Sequence, residues 1–151
     1  MTRFNAEQAA AVAAITQTIN DWGYEVDIHC GRSMERADVL TKDCRCKLEG
    51  QWIEGLDNIV RFYKERNTRF EAGEGAPVIR QILTNLRVSF TSDTAAKVGF
   101  VLILFAQLGK VPISNYCDPV EVADVRVDCR READGHWRIS LLDSDRIFRQ
   151  E

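Results

Sequence analysis

The stretch from residue 82 to residue 108, ILTNLRVSFTSDTAAKVGFVLILFAQL, decides the fold. Ile82, Thr84, Leu86, Val88 and Phe90 interleave with Leu83, Asn85, Arg87 and Ser89, the period of two that marks a half-buried strand. Ser92 and Asp93 make a turn. Residues 94–108 then form a second long strand whose apolar centre is nearly continuous, the pattern of a strand covered on both faces. Two such strands joined by a tight turn begin an antiparallel meander. It continues downstream with alternation over 122–129, a turn at Ala133-Asp134-Gly135 and a last strand over 137–148. The connection at 109–119 holds two prolines and reads as a loop, with room for a short strand at 113–117.

Upstream the period changes. Val12, Ile15, Ile19, Trp22 and Val26 step by three and four, which predicts one long amphipathic helix over 5–29. Asn5 with Gln8 matches a capping box, and Cys30-Gly31 supplies the stop. A short helix is expected at 33–40, then a short strand at 43–48 with Cys44, Cys46 and Leu48 on one face. Gly50 to Trp52 lead into a third helix over 56–69, with Ile59, Phe62 and Tyr63 inward and Lys64, Glu65 and Arg66 outward. Residues 71–77, EAGEGAP, read as a mobile loop. Helices first and strands afterwards imply an α+β fold, with the helices on one face of a curved, mostly antiparallel sheet.

The chain has 151 residues, 45% of them hydrophobic, and 20 basic against 23 acidic side chains give a net charge of −3. That size suits a single domain over 1–151. Without a dense basic block the chain lacks the footprint that nucleic acid demands, and no apolar run approaches the roughly 18 residues of a membrane span. Glu7 and Gln8 within a helical period argue against a signal peptide, so the mature chain is expected to start here. The five cysteines are odd in number, and Cys44-Arg-Cys46 lacks finger-like spacing. With only His29 and His136 beside them no zinc quartet can be written, and free thiols in a reducing cytoplasm are the expected state. No metal or other cofactor is expected.

Three segments carry a resemblance: Trp22 to Arg32 (WGYEVDIHCGR), Asp43 through Gly50-Gln51-Trp52-Ile53-Glu54-Gly55 into Ile59-Val60-Arg61-Phe62-Tyr63, and Ile79 to Val88 (IRQILTNLRV). They resemble the helix end, the strand-to-helix segment and the "Arg-His-x-x-x-Asn-x-x-Val" strand of the SnoaL-like branch of the nuclear transport factor 2-like superfamily. That branch includes scytalone dehydratase, the steroid isomerases and bile acid dehydratases. The resemblance implies a cystatin-like cone, in which a long N-terminal helix and two shorter helices pack on a bent sheet around an apolar cavity. It also implies a homodimer. The dehydratases of this group use an Asp on the first helix and a His on the first long strand; those positions fall on Asp27 and Gln81. A glutamine amide neither takes nor gives a proton near neutral pH, so the usual pair is incomplete here.

By periodicity alone Asp27 lies on the flank of the buried stripe, in the last helical turn, where the dipole disfavours a carboxylate. The resemblance assigns it the proton transfer. Arg80 and Gln81 alternate, so only one of them faces the cavity unless a bulge intervenes; Gln81 would hold a substrate carbonyl. Tyr24, off the stripe, is the third expected catalytic group, through its hydroxyl. Trp22, Cys30, Phe62, Arg80 and Asn85 form the expected substrate-binding set. His29 reads as a capping or surface residue. Asp143 and Asp145 read as surface partners of Arg146 or Arg126, with water activation as the alternative use of such a pair.

Three functions follow as expectations. The first is a cofactor-free acid/base enzyme, a dehydratase, isomerase or cyclase, acting on a small hydrophobic oxygenated metabolite. The second, motivated by Gln81, is a non-catalytic ligand-binding or dimerisation module of the same fold. The third is a small subunit of a ring-hydroxylating oxygenase.

Overall fold

A computed structural model describes residues 3–114 and 117–150. Helix α1 spans Ala6–His29 and starts with a complete capping box, in which the Gln8 N–H donates to Asn5 Oδ1 and the Asn5 N–H to Gln8 Oε1. It ends where Cys30 and Gly31 turn left-handed, at φ 53° and 74°. Helix α2, Met34–Ala37, is a single turn, shorter than expected because the chain enters strand β1 already at Leu40.

Strand β1 covers Leu40–Leu48 and pairs in a hairpin with β2, Gln51–Glu54, a strand that the sequence pattern did not mark. Helix α3, Leu56–Ala72, is followed by the long strands β3, Val78–Ser92, β4, Ala95–Gln107, β5, Glu121–Arg131, and β6, Trp137–Arg149. The expected strand at 113–117 includes residues 115 and 116, which lie outside the described ones; its other residues are not in a strand.

The six strands form one sheet in the order β2-β1-β6-β5-β4-β3, antiparallel throughout except for the β1/β6 pair. The three helices pack on one face of this curved open sheet, the α+β cone that the element order implied. Ile15, Ile19, Trp22 and Val26 of α1 are buried against Phe100, Val125, Val127 and Ile139. Gly23 lets the helix approach β3 closely, since a Cβ there would stand 3.0 Å from Leu83 Cδ1. The Thr18 hydroxyl donates to the Trp137 carbonyl at 2.9 Å and ties the same helix to β6.

The decisive local feature is a bulge in β3. Thr84 faces Val101 and Arg87 faces Gly99, so three steps on β3 match two on β4. Asn85 absorbs the extra residue at φ 60°, a left-handed conformation that asparagine tolerates better than most side chains. The bulge swaps the faces. Beyond it Leu86, Val88 and Phe90 pack inward; before it Ile79 and Leu83 do so, and Ile82 is left 48% exposed on the outside. Strict alternation had put Ile82 and Leu86 on one face. Strand β4 also departs from expectation: Ala96, Val98, Phe100 and Leu102 are buried, whereas its other face is only half covered in the single chain.

Candidate functional site

Between α1, α3 and the sheet lies a cavity of about 330 Å³. Trp22 and Val26 of α1, Tyr63 of α3, Leu102 and Leu104 of β4, Val125 of β5 and Leu142 of β6 form its apolar part. Gln81 brings a carboxamide into that wall. Lys47, Glu49, Arg66, Glu121, Asp145 and Arg146 are the charged residues of the lining. A hollow of this size that combines an apolar wall with polar and charged groups suits a small organic ligand.

The bulge at Asn85 sets which polar side chain enters. Gln81 shares the inward face with Ile79 and Leu83, whereas Arg80 is exposed on the opposite one and donates to the Ile79 carbonyl at 2.6 Å. The Gln81 Oε1 is buried and has no hydrogen-bond partner among the described residues.

Asp27 stands behind this wall rather than in it. Its Oδ2 accepts the backbone N–H of Gln81 at 2.8 Å, which pins the end of α1 to β3. Its Oδ1 is buried and unpartnered among the described residues. Burial pushes the carboxyl above the ordinary carboxylate value, opposed by the Gln81 N–H and the nearby Arg80 charge. A carboxylate with one oxygen free and raised proton affinity is equipped for proton transfer.

The remaining expected site residues divide. Trp22 lines the cavity. Tyr24 does not: it is 59% exposed and packs edge-on against His29, because α1 turns its off-stripe face to solvent. Cys30 is buried, but its position after the helix end gives it another role, its carbonyl accepting from Asn67 Nδ2 at 3.0 Å and Arg66 Nη2 at 3.3 Å. Phe62 packs against the core beside Tyr63 and outside the cavity lining. Asn85 is the exposed bulge residue, and Arg80 faces away; neither lines the cavity.

Two residues escaped the sequence reading. Glu25, three positions after Trp22, sits on the buried stripe and is only 3% exposed. Its Oε1 accepts the Ser33 N–H at 2.6 Å and its Oε2 meets His29 Nδ1 at 2.6 Å, so it organises the turn after α1. Arg66, expected outward, lies three positions after Tyr63 and lines the cavity. In both cases helical spacing carried the signal and residue type obscured it.

Asp143 and Asp145 do form the expected ion pairs: Arg126 Nη2 reaches them at 2.5 and 2.8 Å, and Lys47 lies 3.5 and 3.6 Å away. Cys30, Cys44, Cys46, Cys117 and Cys129 are free, all but Cys117 buried. The Cys46 contact and then burial push the Cys44 thiol up, and burial pushes Cys129 up to about 12, so neither is poised as a nucleophile. Among the described residues no cluster of His, Cys, Asp and Glu could hold a metal ion, and no helix is long and apolar enough to cross a membrane.

Comparison with known proteins places these features in a family. The sequence profile described as SnoaL-like domain matches residues 7–143. No curated protein matches the sequence. Among solved structures, a Catenulispora acidiphila protein superposes with a TM-score of 0.75 at 22% identity, covering 94% of this chain and 95% of its own. A LinA-type3 hexachlorocyclohexane dehydrochlorinase from Novosphingobium barchaimii gives 0.73 at 19% identity, covering 95% and 91%. ActVI-ORFA from Streptomyces coelicolor gives 0.75 at 12% identity, covering 95% and 99%.

Proposed function

Because this chain belongs to the family of SnoaL-like domains, we propose that it is a cofactor-free proton-transfer enzyme, a dehydratase, isomerase or cyclase, acting on a small hydrophobic oxygenated molecule. The observation that carries this reading is the pairing of Asp27 Oδ1 and Gln81 Oε1, two buried, unpartnered oxygens on residues already joined by a hydrogen bond. Buried polar atoms are normally satisfied, and a ligand in the adjoining cavity can satisfy these.

In this mechanism the Gln81 carboxamide holds the substrate, its N–H donating to a carbonyl or its oxygen accepting from a hydroxyl. Among the described residues no side-chain hydrogen bond fixes that carboxamide, so it is free to turn toward a ligand, and that turn would open the Asp27 carboxylate to the cavity. Asp27 then takes the proton from a carbon next to the carbonyl. Returning it to the far carbon of a conjugated dienolate isomerises the substrate, and passing it to a β-hydroxyl, which leaves as water while the enolate electron pair forms the new C=C bond, completes a dehydration; either way Asp27 is restored as a carboxylate. A fold neighbour that bears the name dehydrochlorinase supports eliminations on this scaffold.

Asp27 and Gln81 are testable without knowing the natural substrate. Tetralones and their β-hydroxy derivatives, incubated with the protein in deuterated water, should exchange their α-protons or lose water. Replacing Asp27 by Asn should slow either reaction by about a hundred- to ten-thousandfold. Equal rates in both proteins would sink the assignment of Asp27. Gln81, which cannot exchange protons, favours a second reading as a ligand-binding module; tight binding with no exchange in either protein would establish it.

A homodimer is part of the same proposal. Ile82, Ile103, Val122 and Phe148 are successive Cα partners across β3, β4, β5 and β6, so they form one apolar row on the sheet face away from the helices. Its two ends, Ile82 and Phe148, are 48% and 68% exposed. A second copy would cover the row.

A further inference from the structure

We infer that the substrate carries an anionic oxygen, a carboxylate or an acidic enol or phenol, that binds to Arg66. This names a substrate class within the cavity of the proposed function and rests on that reading.

The charges in the cavity lining nearly cancel in pairs. Arg146 Nε meets Glu121 at 2.7 Å, Lys47 lies 3.6 Å from Asp145, and Glu49 faces Arg69 at 3.6 Å. Arg66 is left over: among the described residues it has no carboxylate partner. Its guanidinium offers five N–H donors, yet the Nε is buried without an acceptor, and Nη2 has only the long 3.3 Å bond to the Cys30 carbonyl.

This guanidinium is also held in place. Its Cζ lies 4.8 Å from the Tyr63 ring centroid and 5.6 Å from that of Phe70, so two aromatic faces flank it. A half-buried cation without a carboxylate partner leaves its desolvation cost without a Coulombic offset. A fixed guanidinium with unused donors on the wall of a partly apolar cavity is a preorganised partner for a planar anion. It would anchor one end of a molecule whose body lies against Trp22, Val26 and Leu102 and whose other oxygen meets Gln81.

The test uses two probes of the same shape, 2-naphthoate and its neutral amide, 2-naphthamide, titrated calorimetrically into the full chain. Naphthoate should bind roughly ten- to a hundredfold more tightly, as charge-assisted hydrogen bonds warrant. In Arg66→Gln, which keeps an amide donor for the Cys30 carbonyl, the preference should vanish while naphthamide affinity holds. Arg66→Lys, with charge but no fork, should retain part of it and serves if the glutamine variant does not fold. Equal binding of both probes by the unaltered protein, or an undiminished preference in Arg66→Gln, would overturn the Arg66 assignment and leave the cavity reading intact. Failure of both probes to bind at millimolar concentration would overturn both readings, and binding of naphthoate alone would support the Arg66 assignment.

Discussion

The Asp27 carboxylate accepts the backbone N–H of Gln81 across 2.8 Å, joining the last turn of the first helix to the first long strand. One group therefore serves both the architecture and the proposed chemistry, and substitutions can separate the two. Asp27→Asn keeps an oxygen acceptor for that N–H, whereas Asp27→Ala leaves the N–H without one. The alanine variant should lose about 1–3 kcal/mol, or roughly 3–10 °C in melting temperature, and the asparagine variant much less. Equal losses in thermal melts of the two would show that the hydrogen bond does not matter.

The raised carboxyl of Asp27 gives its pH dependence a definite sign. Its ordinary value is 3.8 and its value in the fold is higher, so between the two the native state binds more protons than the unfolded state. Its contribution is fully present below 3.8 and is lost as pH rises through the raised value. Urea midpoints of the natural protein, measured relative to Asp27→Asn from pH 3 to pH 8, should therefore fall as pH rises and then level off. Parallel profiles would show that burial does not perturb this carboxyl.

Gly31 controls the cavity from outside it. Its φ is 74°, and a Cβ there would stand 2.3 Å from Tyr63 Cδ1, so a side chain is both strained and in collision with a cavity wall. Gly31→Ala should cost about 2–4 kcal/mol from the left-handed backbone and the overpacking together. Chemical denaturation measures the loss, and 2-naphthamide binding should weaken as Tyr63 is displaced. A variant as stable as the natural protein would contradict the close approach.

The apolar row on the outer sheet face leads to a test of the dimer. Ile82 and Phe148 are exposed in the single chain, so replacing both by Glu should leave chain stability within about 1 kcal/mol. Light scattering should give twice the chain mass for the natural protein and the single mass for the double variant. A natural protein that is monomeric at micromolar concentration would end the proposal.

Much of the fold was legible because it rests on local periodicity. The three-and-four spacing from Val12 to Val26 and the Asn5/Gln8 pair set the first helix to within one residue of its start. Alternation and turn residues likewise marked the four long strands. The β1/β2 hairpin was not legible, since a four-residue strand is too short to show a period and its side chains are mostly exposed. The site was legible at one level only. The resemblance singled out Asp27 and Gln81, but Tyr24, Cys30, Phe62, Arg80 and Asn85, expected beside them, all lie outside the cavity lining, because which face of a helix or strand meets the cavity is set by packing and by the β3 bulge.

The α+β class and every element but β2 were already set by the chain's own periodicity, which spans a few residues at a time, and the resemblance to a family added the two positions on which the chemistry is proposed. Only the tertiary structure decided that Gln81 rather than Arg80 faces inward, since one left-handed residue, Asn85, inverts the alternation of β3. Only the tertiary structure left Arg66 unpaired on the cavity wall. Ion pairing depends on which side chains meet across α1, α3 and the sheet, and no local period records that.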